Sequence, residues 1–175
     1  MLNTIDKEFA EAFSDALKKI ELNLHINYIK KAKILMLGCE NKKFATWYKS
    51  LTLRDIKKIV EPHIADFIRG FYDSEGSYVK HDDGYIAISM WNTRLDLLKL
   101  MENALRRLGF NMKILLAREA IENPNRTING RKIKRTKRLY ALKILGGKTE
   151  TTRFIDVVKP TIPRKVGAHL RPIPT

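Results

Sequence analysis

Apolar residues recur at helical spacing in two separate stretches, Phe9, Phe13, Ala16, Leu17 and Ile20, and then Leu97, Leu98, Met101, Leu105 and Leu108. Each set lines one face of an amphipathic helix. After each helix the pattern shortens to strand-like runs. The first copy predicts strands over 24–29 and 33–37 and a helix over 42–49; the second predicts strands over 112–117 and 139–144 and a helix over 149–158. Phe13-Ser-Asp-Ala-Leu-Lys-Lys-Ile-Glu-Leu-Asn-Leu-His-Ile26 aligns without gaps on Met101-Glu-Asn-Ala-Leu-Arg-Arg-Leu-Gly-Phe-Asn-Met-Lys-Ile114. The chain therefore carries an internal repeat.

Upstream of the second copy lie three further elements: a helix over 62–72 and strands over 77–80 and 85–91, joined by the turn-forming His81-Asp-Asp-Gly84. The first copy lacks them. Leu2-Asn3-Thr4 resembles Trp91-Asn92-Thr93, which places the first residues in a strand whose preceding helix and partner strand are missing. The expected organisation is α+β, with a partial αββα repeat over 1–60 followed by a complete unit over 61–175.

Charge narrows the partner. The formal net charge of +15, from 34 Lys and Arg against 19 Asp and Glu, points to a polyanion, with nucleic acid first in line. No apolar run reaches the eighteen or so residues of a membrane span, and no secretory signal precedes the first helix, so an intracellular protein with no membrane partner is expected. A lone Cys39 excludes an internal disulfide, and His25, His63, His81 and His169 are too scattered for a zinc site.

Candidate chemistry concentrates in Phe67-Ile-Arg-Gly-Phe-Tyr-Asp-Ser-Glu-Gly76. Gly70 and Ser74, four apart, put two small residues on one helix face, where a second helix can approach closely. Glycine inside a helix costs about 1 kcal/mol relative to alanine, so Gly70 calls for such a packing reason. Asp73 and Glu75 stand where the helix dipole disfavours negative charge, so something cationic should compensate. Two such acidic tips meeting at one point would supply oxygen ligands suited to Mg²⁺ or Ca²⁺, and hence to metal-assisted phosphodiester hydrolysis.

Ile68-Arg-Gly-Phe-Tyr-Asp-Ser-Glu-Gly76 resembles the LAGLIDADG signature of homing endonucleases and maturases, with Gly70, Asp73, Glu75 and Gly76 at the positions on which the pattern most depends. The order of elements from 62 to 158 resembles that family's αββαββα unit. The resemblance implies an intron-encoded type of double-stranded DNA endonuclease using Mg²⁺, with Ca²⁺ or Mn²⁺ able to substitute. It implies Glu75 as metal ligand and catalytic residue, Lys165 in Thr161-Ile-Pro-Arg-Lys165 as the basic residue near the cut, and Asn92 as a residue orienting water. Gly70, Asp73 and Ser74 would form the helix-pair interface. Arg69 and Tyr72 depart from the small or aliphatic residues common in the family. Active members need two motifs and this chain carries one, so a homodimer on a long pseudo-palindromic target is expected. Rival readings are a non-cutting maturase or DNA-binding regulator, a plain basic interaction protein, and a part of a longer two-motif chain.

DNA would be read by the free face of the sheet. Alternation puts Tyr85, Ala87, Ser89 and Trp91 on one side and Ile86, Ile88 and Met90 on the other, and the first set is expected to meet DNA. Tyr78, Lys80, Lys113, Arg118, Tyr140 and Lys143 join it as candidates, the face taken by Lys143 being left open. The long polar connection over 119–137 holds Asn129-Gly130, a hairpin signal, and then Arg131-Lys-Ile-Lys-Arg-Thr-Lys-Arg138, six of whose eight residues are basic. It reads as a β-ribbon contacting DNA through Arg131, Lys132, Lys134, Arg135, Lys137 and Arg138. Engagement of about eight phosphates would lower affinity by roughly three to four decades between 50 and 200 mM salt.

Overall fold

A computed structural model describes residues 2–30, 34–82, 84–120, 127–128, 131–132 and 137–167. The chain divides into two compact units, Met1–Lys58 and Ile59–Thr175. Among the described residues no helix is long and apolar enough to cross a membrane.

In the first unit, β1 (Leu2–Thr4), α1 (Lys7–Lys18), β2 (His25–Ile29), β3 (Ile34–Gly38) and α2 (Lys42–Ser50) follow one another. Short polar side chains set the helix starts: Asp6 accepts from Phe9 N at 3.1 Å and Asn41 from Phe44 N at 2.8 Å. The helix α3 (Leu53–Val60) was not among the expected elements. Its signal is Thr52-Leu-Arg-Asp55, where Thr52 Oγ1 accepts from Asp55 N while the Asp55 carboxylate accepts from Thr52 N at 3.0 Å, a reciprocal cap.

The second unit holds α4 (Ile64–Glu75), β4 (Gly76–Lys80), β5 (Ile86–Asn92), α5 (Leu95–Arg107), β6 (Met112–Arg118), the two-residue strands β7 (Thr127–Ile128) and β8 (Arg131–Lys132), β9 (Leu139–Ile144) and α6 (Gly147–Val158). The motif helix thus starts later and ends later than its predicted 62–72. Glu61–His63 forms a 3₁₀ turn ahead of it, and the acids Asp73 and Glu75 belong to its last turn. β4, β5, β9 and β6 make an antiparallel sheet in that order. Helices cover one face, burying Ile68 and Tyr72 of α4, Leu98, Met101 and Leu105 of α5, Phe154 and Val158 of α6, and Ile88, Met90 and Leu142 of the sheet in one core. Phe154 lies edge-on to Tyr72 at 5.0 Å and to Phe110 at 5.7 Å.

The repeat is visible in the hydrogen-bond ladders. The first sheet runs β1-β3-β2, the order of β5-β9-β6 without β4. Leu2 pairs with Leu37, which pairs with Ile26; Met90 pairs with Leu142, which pairs with Ile114. One offset of 88, the distance from Ile26 to Ile114, therefore relates both strands and helix, and Leu2 corresponds to Met90. The junction match proposed from sequence was one residue out. At the corrected offset even a local cap repeats: Thr4 Oγ1 accepts from Asp6 N at 3.0 Å, and Asn92 Oδ1 from Arg94 N at 2.9 Å.

Candidate nuclease site and sheet surface

The last turn of α4 carries two carboxylates at the negative end of the helix dipole, and the two are handled differently. Asp73 is buried and turned into its own unit, where it accepts from Thr161 N at 3.2 and 3.1 Å and from Ile162 N at 3.4 Å. Its placement serves this junction, whereas it was expected in the helix pair. Held there, the chain leaves α6 and enters the short 3₁₀ turn Pro163–Val166. That turn brings Lys165 back beneath α4. Its side chain is buried, its ammonium donates to the Gly76 carbonyl, and Nζ lies 5.9 Å from the centroid of the Tyr72 ring. Tyr72, 0% exposed, donates its hydroxyl to the Lys165 carbonyl at 2.9 Å. A Cβ at Gly76 would stand 2.2 Å from Tyr72 Cδ2 and 2.3 Å from Tyr72 O, so only glycine fits.

Glu75 remains at the surface. Partial burial pushes its carboxyl above the ordinary range, opposed by the nearby Lys165 charge. Burial pushes the Lys165 ammonium down to about 8, helped by Arg164 and opposed by Asp73 and Glu75. Both groups stand ready for a further charge. Gly70 and Ser74 are exposed, and nothing lies within 4 Å of a Cβ built on Gly70. The Ser74 hydroxyl donates to Phe71 O at 3.0 Å, folding back on its own helix. This face of α4 is open to a closely approaching backbone.

Arg69 and Tyr72, which depart from the family pattern, both face inward. The Arg69 guanidinium donates to Val158 O at the end of α6 at 3.0 Å and pairs with Asp66 at 3.0 Å. Their part in holding the site was not anticipated; the signal was the replacement of small or aliphatic residues by side chains with long polar reach.

The sheet corrects several expected contacts. Register places Ser77, Ser89, Lys143 and Lys113 in one row across the four strands, on the face away from the helices. Lys143 is therefore on the open face, directly across from Lys113. Trp91 shares this face and donates its indole N–H to Ser89 Oγ at 2.9 Å; Ser89 is buried, so the indole and not the serine meets solvent. Tyr78 and Tyr140 have the opposite parity and pack, partly buried, against the helix-side core. Lys80, two residues after Tyr78, shares its parity at the exposed end of β4. Asn92 is on this side too, paired with Tyr140, and its side-chain amide oxygen accepts from Arg94 N at 2.9 Å just ahead of α5. Aromatic character pointed to these residues, but pairing parity decides.

Tyr85 lies exposed just before β5, its ring 5.6 Å from that of His81. A register shift between Leu116 and Arg118 brings Arg118 opposite Leu139, at the exposed end of β6. Arg138 is bound to Glu119 at 2.9 Å, which holds its guanidinium above the ordinary value, and Lys137 beside it is exposed. β7 and β8 pair antiparallel, Ile128 with Arg131 and Thr127 with Lys132, giving the end of the expected ribbon that flanks residues 129 and 130. Lys134 and Arg135 fall outside the described residues.

An α+β unit with one helix-free sheet face and an acid-tipped helix open to close packing defines a class of fold, and comparison with known proteins identifies it. The chain belongs to the LAGLIDADG family: the LAGLIDADG-like domain matches residues 62–149. Among solved structures it resembles the homing endonuclease I-DmoI. A structure from work on mesophilic variants of that enzyme matches with a TM-score of 0.57 at 17% identity, over 97% of this chain and 80% of that one. Its complex with DNA and Ca matches with a TM-score of 0.59 at 16% identity, over 95% and 80%. Its complex with DNA and Mn matches at 0.56 and 16%, over 97% and 81%. Two relatives from Methanocaldococcus jannaschii, the uncharacterized proteins MJ0314 and MJ0398, are each 29% identical over 65% and 67% of this chain. The matches span 47% and 42% of those relatives, so the chain spans about half their length or less.

Proposed function

We propose that the protein is a site-specific endonuclease of double-stranded DNA, hydrolysing phosphodiester bonds with a divalent cation, Mg²⁺ or in its place Ca²⁺ or Mn²⁺, at Glu75. One observation carries this reading: Glu75 is the surface carboxylate at the tip of a helix whose Gly70–Ser74 face is bare, with a buried, braced ammonium beside it. The complexes of I-DmoI with DNA and with Ca or Mn support it.

The donor set fits such an ion. Among the described residues no three His, Cys, Asp or Glu side chains form a cage, and Asp73 is spent on backbone N–H groups. A single carboxylate is what Mg²⁺ takes when substrate phosphate and water fill its remaining positions. The ion, when bound, supplies a Lewis acid for the scissile phosphate and lowers the pKa of attached water. Glu75 binds and orients. Lys165, fixed by Gly76 and Tyr72, places positive charge where the phosphate oxygens gather charge during displacement. Lys113 and Lys143 meet the DNA from the open face, with Trp91 between them and the helix end of β5. The second acidic helix comes from α4 of a second copy, packed across Gly70 and Ser74, in a homodimer on a pseudo-palindromic site.

The test is cleavage of a DNA library of long candidate sites with Mg²⁺, wild type against Glu75→Gln. Double-strand cutting by the wild type, lost in the variant while binding persists, is the expected outcome. Binding by both proteins with cutting by neither overturns the nuclease reading and favours a non-cutting regulator or RNA-splicing maturase.

A further inference from the structure

The sheet face away from the helices is not evenly polar. Beside the row of Ser77, Ser89, Lys143 and Lys113 lies a row of another character, in which Trp91 pairs with Ala141 and Ala141 with Leu115. Leu115 is 37% exposed on the edge strand β6, and Ala141, between the two larger residues, is 1% exposed. The row is a continuous apolar strip across three strands. Trp91 adds no polar reach, because its one donor, the indole N–H, is already bound to Ser89 Oγ at 2.9 Å. The strip starts near the motif: Met90, the neighbour of Trp91, pairs with Gly76, which follows Glu75.

The fold does not demand apolar side chains here. The adjacent row, which faces the helices, is apolar in both units: Met90, Leu142 and Ile114 in the second, Leu2, Leu37 and Ile26 in the first. The strip is not repeated in this way. At the same ladder positions the first unit has Asn3, Met36 and Asn27, with an amide at either end. An exposed apolar strip that the core does not require points to a contact outside the chain.

We propose that Leu115 and Trp91 are specificity-determining residues that read the C5-methyl group of thymine in duplex DNA. The inference rests on the reading that this face binds DNA, and adds which feature of the bases it selects. Charge supplies the occupant: Lys113 and Lys143 stand exposed in the next row, on a chain of net charge +15. Chemistry supplies the feature. The strip offers no hydrogen bond, and the thymine methyl is the one apolar group that base edges present in the major groove. The minor groove shows only acceptors and the guanine amino group, which give an aliphatic side chain nothing to prefer. Uracil lacks the methyl, so the strip also favours DNA over RNA.

The experiment selects a randomised duplex pool for binding to the full chain in EDTA, where metal-dependent cutting does not occur. Thymines of the enriched duplex are then replaced one at a time by deoxyuridine, which removes the methyl and leaves base pairing unchanged. At one or more of them binding should weaken about fourfold, the effect of one buried methyl group. Leu115→Ala should abolish that penalty for at least one such thymine. Leu115→Asn, which matches Asn27 of the first unit, should do the same and replaces the alanine variant if that fails to fold. Lys113→Ala should weaken thymine and deoxyuridine duplexes alike and leave their ratio unchanged. Retention of duplex without sequence enrichment, no thymine sensitive to deoxyuridine, a penalty undiminished in the Leu115 variants, or a penalty lost in Lys113→Ala overturns the proposal and leaves DNA binding standing. Failure to retain any duplex overturns the DNA-binding reading and this inference with it. Cutting is read in no arm, so failure of the nuclease step leaves the result intact.

Discussion

Two glycines six residues apart should respond to alanine with opposite signs. Gly70 lies inside α4, and a Cβ built there has no heavy atom within 4 Å. Gly70→Ala therefore recovers the helix-propensity difference of about 1 kcal/mol with no steric cost in the isolated chain. For a unit of this size that raises the melting temperature by roughly 3 to 5 °C. Gly76 is different, because its Cβ would come within 2.2 Å of a ring pinned by Phe154 and by a hydrogen bond, and within 2.3 Å of a helix carbonyl. Neither can retreat by the ångström or more required. Gly76→Ala should cost about 2 to 3 kcal/mol, the upper part of the overpacking range. Thermal melts of dilute protein followed by circular dichroism measure both. The same two variants should then both lose cutting. Gly70→Ala, though more stable, inserts a methyl between paired helices at a cost of about 1 to 3 kcal/mol, a loss of association of roughly five- to 150-fold read by light scattering. A lower melting temperature for Gly70→Ala, or unchanged association, would show that this glycine serves its own unit and would refute the pairing argument.

Asp73→Ala strips the acceptor from Thr161 N and Ile162 N, and two N–H groups left without a partner should cost about 2 to 4 kcal/mol in urea unfolding, where an exposed acid would cost almost nothing. Lys165 is held at about 8 in the folded chain against an ordinary 10.5, so between these values the unfolded chain binds the extra proton. Stability should rise as pH climbs through that window and fall as pH drops toward 8, and Lys165→Met should flatten this profile; the same profile in both proteins would count against the burial of this ammonium. Cutting that needs the charged form declines above about pH 8. Lys113→Ala and Lys143→Ala should each weaken DNA binding across sequences and reduce the salt slope by about one, measured by titration at several salt concentrations; an unchanged slope removes these lysines from the phosphate contacts.

Much of the fold is legible because the chain states it twice. The helical stripe Phe9 to Ile20 and its copy at Leu97 to Leu108 fix the repeat, and β9 lies at the expected residues. The end of α4 was misjudged for a physical reason. The dipole argument called for a cation to compensate Asp73 and Glu75; here Thr161 N and Ile162 N hold the first and the Lys165 charge acts on the second, and the helix runs on to Glu75, past the expected residue 72. Such compensation comes from residues almost ninety positions away. The sheet surface shows a second limit: alternation in a single strand says which residues share a face, as in β5, but not which face Tyr78 or Tyr140 takes once β4 and β9 find their partners. The burial of Lys165 is a third, since the resemblance singles out this residue as a basic group near the motif but gives no sign that its side chain is buried against Tyr72 and Gly76.

The way Lys165 is attached bears on how this protein can change over generations. Its ammonium caps the carboxyl end of α4, whereas the atom that anchors the core tyrosine is its backbone carbonyl, which any residue at this position supplies. Glu75 has no such second duty; it can be replaced at little structural cost. A lineage released from selection for cutting should therefore shed Glu75 and the Lys165 ammonium early and keep Tyr72 and Gly76 long afterwards, leaving a stable, strongly basic scaffold free to be taken up for other work.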